Sequence, residues 1–159
     1  MSNPDTCMQR QPLKPRILLI EDDPGRIEAF RQWLEGTEFV LEVARSGGRA
    51  LGALGRGSIH TVAGILLDHD LSDSPVGEHD RQLSVSDVLP KVKEAFLGRP
   101  GLPPVLIHSH SLSKPREMQK ELEKSRFKVT RIRFELLETE PALFRRWLEE
   151  VRESWDPDE

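Results

Sequence analysis

Apolar residues along this chain come in two textures: short unbroken runs, and stretches where they recur every three to four positions. The runs are "RILLI" at 16–20, "FVLEVA" at 39–44, "VAGILLD" at 62–68, "PVLIHSHS" at 104–111 and "FKVTRIRF" at 127–134. Each reads as a strand, the first and third as strands buried on both faces and the last by its period-two alternation. Helical spacing lies between them. In "EDDPGRIEAFRQWLEG", Asp23 can cap a helix, Pro24 suits its first position, Ile27, Phe30 and Leu34 share a face, and Gly36 can close it. "SGGRALGALGRG" predicts a short, glycine-weakened helix with Ala50, Leu51 and Leu54 on its apolar side. "SVSDVLPKVKEAFLG" predicts a third helix, with Pro90 in its first turn or at a kink. Ser113 and Pro115 open a fourth, carrying Met118 and Leu122. "EPALFRRWLEEVRESW" is the clearest, with Leu143, Phe144, Trp147, Leu148, Val151 and Trp155 in a wide stripe that reads as core packing.

Five strands alternating with five helices predict an α/β fold: a doubly wound, five-stranded parallel sheet covered by helices on both faces. Ligands bind such sheets beyond the carboxyl ends of the strands, where the strand order reverses. With strand order 2-1-3-4-5, strands one and three are neighbours, and Glu21, Asp22 and Asp68 converge at the switch point.

Composition narrows the setting. The 159 residues, 36% apolar and 31% charged, suit one soluble domain. We expect residues 1–14 to form a loose tail and 15–155 the domain. No apolar run approaches the ~20 residues of a membrane span. The opening residues lack the apolar core of a signal peptide, and the single cysteine, Cys7, lies in that polar tail. A cytoplasmic location is the default expectation. The net charge of −4 argues against nucleic-acid affinity of the whole protein. Lys114–Arg133, however, holds eight basic residues against three glutamates. That segment is either a phosphate-attracting face or an ordinary solvated surface.

The sharpest feature is "GILLDHDLSD" at 64–73, where a buried run meets Asp68-His69-Asp70. Two unit charges ~4 Å apart repel by about 4 kcal/mol at an effective dielectric near 20. Glu21, Asp22 and Asp68 together therefore call for protonation, a cation, or both. A hard divalent cation with oxygen ligands, Mg²⁺ with Mn²⁺ as substitute, is the economical answer. A zinc site fits less well, because no cysteine is near. Asp23 reads more simply as a helix cap, and Asp70 has the plain alternative of a loop residue.

These segments carry a family resemblance. "ILLIEDDPGRIEAFRQWL" resembles the first strand and helix of bacterial response-regulator receiver domains, whose fold is flavodoxin-like. "GILLDHDL" is similar to their third strand, which ends in the phospho-accepting aspartate, and "PVLIHS" to their fourth, which ends in a Ser or Thr that contacts the phosphoryl group. The resemblance spans roughly residues 15–153. It implies two-component signalling by phosphorelay, with a histidine kinase or other phosphodonor as partner. Glu21 and Asp22 match the acidic pair, Asp68 the acceptor, and Ser109 the hydroxyl. Asp70 falls where receivers supply a backbone carbonyl to the metal. The chain departs from the pattern at strand five, where receivers carry Lys-Pro and this sequence reads "TRIRFELLE". Arg131 or Arg133 is the expected source of the missing charge, although Arg and Lys are not interchangeable. The loop after Asp70 is longer than usual, and the chain ends after the fifth helix, so no output domain is expected.

"LDHDL", the "HS" after strand four, and "SDVLPKV" resemble a narrower branch, the cyclic-phosphate-processing receiver domains. That resemblance implies metal-dependent processing of cyclic phosphate ends, such as 2′,3′-cyclic phosphates on RNA, with Asp68, His69, His108 and His110 in catalytic roles. A histidine near three carboxylates is expected to hold its proton and serve as a general acid. Alternation puts His108 and His110 on one side of the strand and Ser109 on the other, so one of these sets faces the site. The plainer alternative is that the histidines only hydrogen-bond neighbouring groups. Three functions therefore compete: a stand-alone receiver phosphorylated on Asp68, a cyclic-phosphate enzyme, and a degenerate receiver that only binds a partner protein.

Overall fold

The computed structural model describes residues 14–45, 49, 52, 61–68, 85–96, 101–108 and 114–155. Five strands form one sheet: β1 (Arg16–Ile20), β2 (Val40–Ala44), β3 (Val62–Leu67), β4 (Val105–Ile107) and β5 (Val129–Arg131). All pairings are parallel, in the order β2-β1-β3-β4-β5. This is the doubly wound, flavodoxin-like arrangement expected from the alternating elements. Described helices are α1 (Pro24–Leu34), α2 (Val85–Ala95), α3 (Lys114–Lys124), α4 (Phe134–Thr139) and α5 (Pro141–Ser154).

The sheet separates two apolar layers, as the unbroken apolar runs require. Leu18, Ile20, Ile65, Leu67, Val105 and Ile107 face Val92, Phe96, Met118 and Leu122, so α2 and α3 cover that side. Ile17, Leu19, Leu66 and Leu106 face Ile27, Phe30 and Leu34 of α1, Phe134 and Leu137 of α4, and Phe144, Trp147, Leu148 and Val151 of α5. Gly64 permits the second packing. A Cβ there would lie 2.9 Å from Trp147 Cη2 and 3.1 Å from Val151 Cγ2, inside contact distance. Glycine at this position lets α5 press against β3.

Helix α1 begins as its sequence demands. Asp23 is the cap, accepting the N–H of Gly25 at 2.8 Å and of Arg26 at 3.3 Å, and Pro24 fills the first turn. Gly36, at φ +84°, adopts the left-handed conformation just past its end.

Two expectations need adjustment. "FKVTRIRF" pairs only over Val129–Arg131, with the Ile132 N–H still donating to the Ile107 carbonyl at 3.0 Å. Phe134 is not a strand residue: it opens α4, an additional short helix, because Phe134 and Leu137, three positions apart, both bury against the α1 side. Pro90 lies inside α2. The helix expected over 46–57, apart from helical Arg49 and Gly52, lies outside the described residues, as does the polar stretch 71–83. Among the described residues no helix is long and apolar enough to cross a membrane.

Candidate functional site

Strand register builds the site. Ile20 is level with Ala44 on one side and Leu67 on the other, and Leu67 with Ile107. Hydrogen bonding continues one residue further: Glu21 N–H donates to Ala44 O at 3.0 Å, Asp68 N–H to Ile20 O at 3.1 Å, and His108 N–H to Leu67 O at 3.1 Å. Glu21, Asp68 and His108 are thus consecutive neighbours across the carboxyl edge of β1, β3 and β4. Alternation turns all three toward the α1 side, since each follows two residues after Leu19, Leu66 and Leu106. One ligand atom from each lies within 4.8 Å of the others, and all three side chains are buried.

Glu21 is held from three directions. Its Oε2 accepts the N–H groups of Asp22 at 3.2 Å and Asp23 at 3.1 Å. Its Oε1 lies 2.8 Å from His108 Nε2, and Nε2 and Oε1 hold one proton between them. Burial pushes the Glu21 carboxyl above the usual range, against the downward pull of the Asp23 N–H, the Asp68 side chain and Arg26; the Asp22 charge adds a smaller upward push.

The His108 ring packs edge-on against Phe30, with centroids 4.8 Å apart, and at 6.4 Å from Phe134. Burial lowers its pKa to about 4; the nearby Asp68 charge and the Leu106 carbonyl raise it, and Arg26 lowers it further. This corrects the expectation that acidic surroundings would keep a histidine protonated. Burial among aromatic rings outweighs the Asp68 charge and favours the neutral imidazole. Of the His108/Ser109/His110 set, His108 is the member within the described residues, and it reaches the acidic cluster.

Arg26 completes the constellation. Its Nη1 is 3.8 Å from Glu21 Oε1 and 3.6 Å from Asp68 Oδ1, with the side chain only 11% exposed. The guanidinium carbon stands 5.3 Å from the centre of the Phe134 ring, a cation–π arrangement. Neither residue stands out in the sequence. Arg26 falls in the first turn, where a charged residue usually faces solvent. Yet it precedes Phe30 by four positions and so lies along one edge of the buried stripe. Phe134 was absorbed into the alternation of strand five.

Where described, the remaining candidates lie outside the buried cluster. Asp22 is half-buried beside Glu21, and Asp23 is the exposed cap of α1. Arg131, the last residue of β5, and Arg133 are exposed. His69, Asp70, Ser109 and His110 lie outside the described residues. In the basic segment, Lys124 pairs with Glu121 at 3.4 Å and Lys128 with Glu150 at 2.7 Å, which fits an ordinary solvated surface.

Two carboxylates and an imidazole this close fit a divalent cation, with Glu21, Asp68 and His108 as the groups that would hold it.

No family model matches the chain, and no curated protein does either. Solved structures do. A response regulator receiver protein from Burkholderia phymatum aligns with 20% identity and a TM-score of 0.56, covering 87% of this chain and 94% of that one. The receiver domain of the sensor histidine kinase PA1611 from Pseudomonas aeruginosa PAO1, described with a magnesium ion coordinated in its active-site cleft, aligns with 18% identity and a TM-score of 0.55, covering 85% of this chain and 98% of that one. A de novo designed Rossmann 2x3 protein reaches the same TM-score at 14% identity, covering 91% and 94% of the two chains. Since a designed scaffold scores as well as natural receivers, these likenesses establish that the chain has a receiver-like fold and leave its function to the residues of its own site.

Proposed function

We propose that this chain is a receiver-like phosphoryl acceptor, with Asp68 as the accepting residue and a divalent cation, Mg²⁺ or Mn²⁺, as cofactor. The observation that carries the reading is the register of β1 against β3, which sets Glu21 beside Asp68 at the point where the strand order reverses. In the reaction an Asp68 carboxylate oxygen forms a bond to phosphorus. The bond from phosphorus to the donor's leaving atom breaks, an imidazole nitrogen for a phosphohistidine or a carboxyl oxygen for an acyl phosphate, and the leaving group departs with that electron pair. The donor would be a histidine kinase or a small acyl phosphate, as the likeness to a kinase receiver domain suggests.

The chain's own groups have separate tasks. Glu21 is fixed by two backbone N–H groups and His108, so it presents charge with little reorganisation. Arg26 offsets the two carboxylates. A divalent cation, when bound, supplies further charge neutralisation to the phosphoryl oxygens. Asp68 is buried, so the reading requires a phosphodonor to displace part of what covers it.

A second reading has one observation in its favour. A neutral imidazole within reach of the acidic cluster suits proton transfer in the opening of a cyclic phosphate. One experiment separates the two. Intact mass is measured after incubation with acetyl phosphate and Mg²⁺, beside Asp68→Asn, and an RNA ending in a 2′,3′-cyclic phosphate is incubated in parallel. One added phosphoryl group on the wild type and none on Asp68→Asn supports the acceptor. Opening of the RNA end without an adduct supports the enzyme and overturns the acceptor.

A further inference from the structure

We propose that Arg26 is the phosphoryl-binding cation of this site, gripping the anionic oxygens of the group carried by or presented to Asp68. The inference rests on the reading of Asp68 as acceptor and assigns to helix α1 a function expected of the arginines at the end of strand β5.

The first argument is position. Arg26 Nη1 stands 3.6 Å from Asp68 Oδ1, so a phosphoryl group on that oxygen would lie within the reach of the guanidinium without a change of backbone. Arg131 and Arg133, the sequence's own candidates, are exposed.

The second argument is geometry. Charge-assisted hydrogen bonds from arginine to carboxylate run at about 2.7–2.9 Å. The separations from Glu21 and Asp68 are 3.8 and 3.6 Å, so neither carboxylate is clamped in a two-bond fork. A phosphoryl group, with its three equivalent oxygens, can approach the guanidinium more closely than these two carboxylates do. A planar guanidinium matches such oxygens as a rigid fork.

The third argument is preorganisation. Arg26 is anchored at its base in the capped first turn of α1, where its N–H donates to Asp23 Oδ1 at 3.3 Å. At its tip the Phe134 ring lies against the guanidinium, 5.3 Å from its carbon. Phe134 in turn packs on Phe30, four residues along the same helix, with centroids 5.6 Å apart. A long side chain that is mostly buried and fixed at both ends has already lost the freedom that anion binding would otherwise remove.

The fourth argument is charge. Glu21 and Asp68 are two buried carboxylates, and a phosphoryl group adds negative charge to the same spot. A resident cation there lowers the cost of that addition. It also opposes a divalent ion, so removing it should tighten metal binding, an effect that damage to the fold would not produce.

The test uses the full chain with Arg26→Gln and Arg26→Lys, each checked for folding by circular dichroism and melting temperature. Three quantities are read: the rate of adduct formation from acetyl phosphate with Mg²⁺, the affinity for inorganic phosphate, and the affinity for Mg²⁺ alone. We expect Arg26→Gln to slow adduct formation at least tenfold and weaken phosphate binding at least tenfold, while Mg²⁺ binding tightens. Arg26→Lys should recover part of the phosphate affinity. If the wild type is labelled and Arg26→Gln is labelled equally fast, the assignment of Arg26 is overturned and the acceptor reading stands. If the wild type takes no phosphoryl group but binds phosphate, and Arg26→Gln binds it tenfold more weakly, Arg26 is an anion-binding residue and the acceptor reading fails. If the wild type neither forms the adduct nor binds phosphate, both fail. If Arg26→Gln does not fold, Arg26→Lys decides: phosphate affinity equal to wild type overturns the guanidinium grip, and a several-fold loss supports it.

Discussion

His108 Nε2 lies 2.8 Å from Glu21 Oε1, and both side chains are fully buried, although they sit 87 residues apart in the chain. A carboxylate and an imidazole placed this way share one proton, and burial, with the rings of Phe30 and Phe134 beside the imidazole, disfavours its charged form. The acid–base character of the site therefore follows from the packing of α1 and α4 as much as from its ionisable residues.

That packing has a pH signature. The His108 pKa falls from 6.5 to about 4 in the folded protein. Between these values the unfolded chain binds the extra proton and the folded one does not. The contribution is therefore fully present above pH 6.5 and lost as pH falls toward 4, by about 3 kcal/mol at 1.36 kcal/mol per unit. Glu21 works in the opposite sense: its raised carboxyl pKa favours the folded state as pH falls, so the observed slope is the difference. Urea unfolding of the metal-free protein in EDTA, at pH 7 and pH 4.5, should show a smaller loss for His108→Gln than for the wild type. Equal losses would show that His108 is not held neutral.

Gly64 lies two and four residues before Leu66 and Asp68 on the same face of β3. A methyl group there meets Trp147 Cη2 at 2.9 Å and Ile17 Cδ1 at 3.2 Å. Gly64→Ala should cost about 1–3 kcal/mol through overpacking. Thermal melting checks it, and an unchanged midpoint would mean that α5 shifts freely.

Arg26 and Phe134 should be energetically coupled. The contact at 5.3 Å from ring centre predicts a coupling of about 0.5–2 kcal/mol. A double-mutant cycle of Arg26→Gln and Phe134→Leu, read by urea unfolding, measures it. Additive effects would reduce the ring to a hydrophobic neighbour.

Metal preference offers a further check. A set with one imidazole and two carboxylates favours Mn²⁺ over Mg²⁺, because nitrogen donors suit the softer ion. Calorimetry should show Mn²⁺ binding at least tenfold tighter, with His108→Gln losing more Mn²⁺ affinity than Mg²⁺ affinity. Equal losses would remove His108 from the ligand set.

Much of this was legible in the chain. Unbroken apolar runs are what strands buried on both faces need, and the parallel sheet followed from their alternation with helices, whereas the order 2-1-3-4-5 was an assumption that the strand pairing bears out. Glu21 and Asp68 stood out because each ends such a run with a carboxylate. The protonation of His108 was not legible, since it depends on Phe30 and Phe134 meeting around the ring from two helices. Arg26 was obscured for a related reason: a first-turn arginine normally faces water, and only the position of β3 beside β1 brings Asp68 under it. Helix α4 was hidden because "VTRIRF" alternates like a strand until Leu137 supplies the helical partner of Phe134.

The most direct measurement locates the phosphoryl group. The protein, incubated with acetyl phosphate and Mg²⁺, is treated with borohydride, which reduces an aspartyl phosphate to homoserine, and the peptides are sequenced by mass spectrometry. We predict homoserine at position 68 and at no other acidic residue. Homoserine at Asp22 or Asp70 in its place, or unmodified Asp68 in every peptide, would contradict the account.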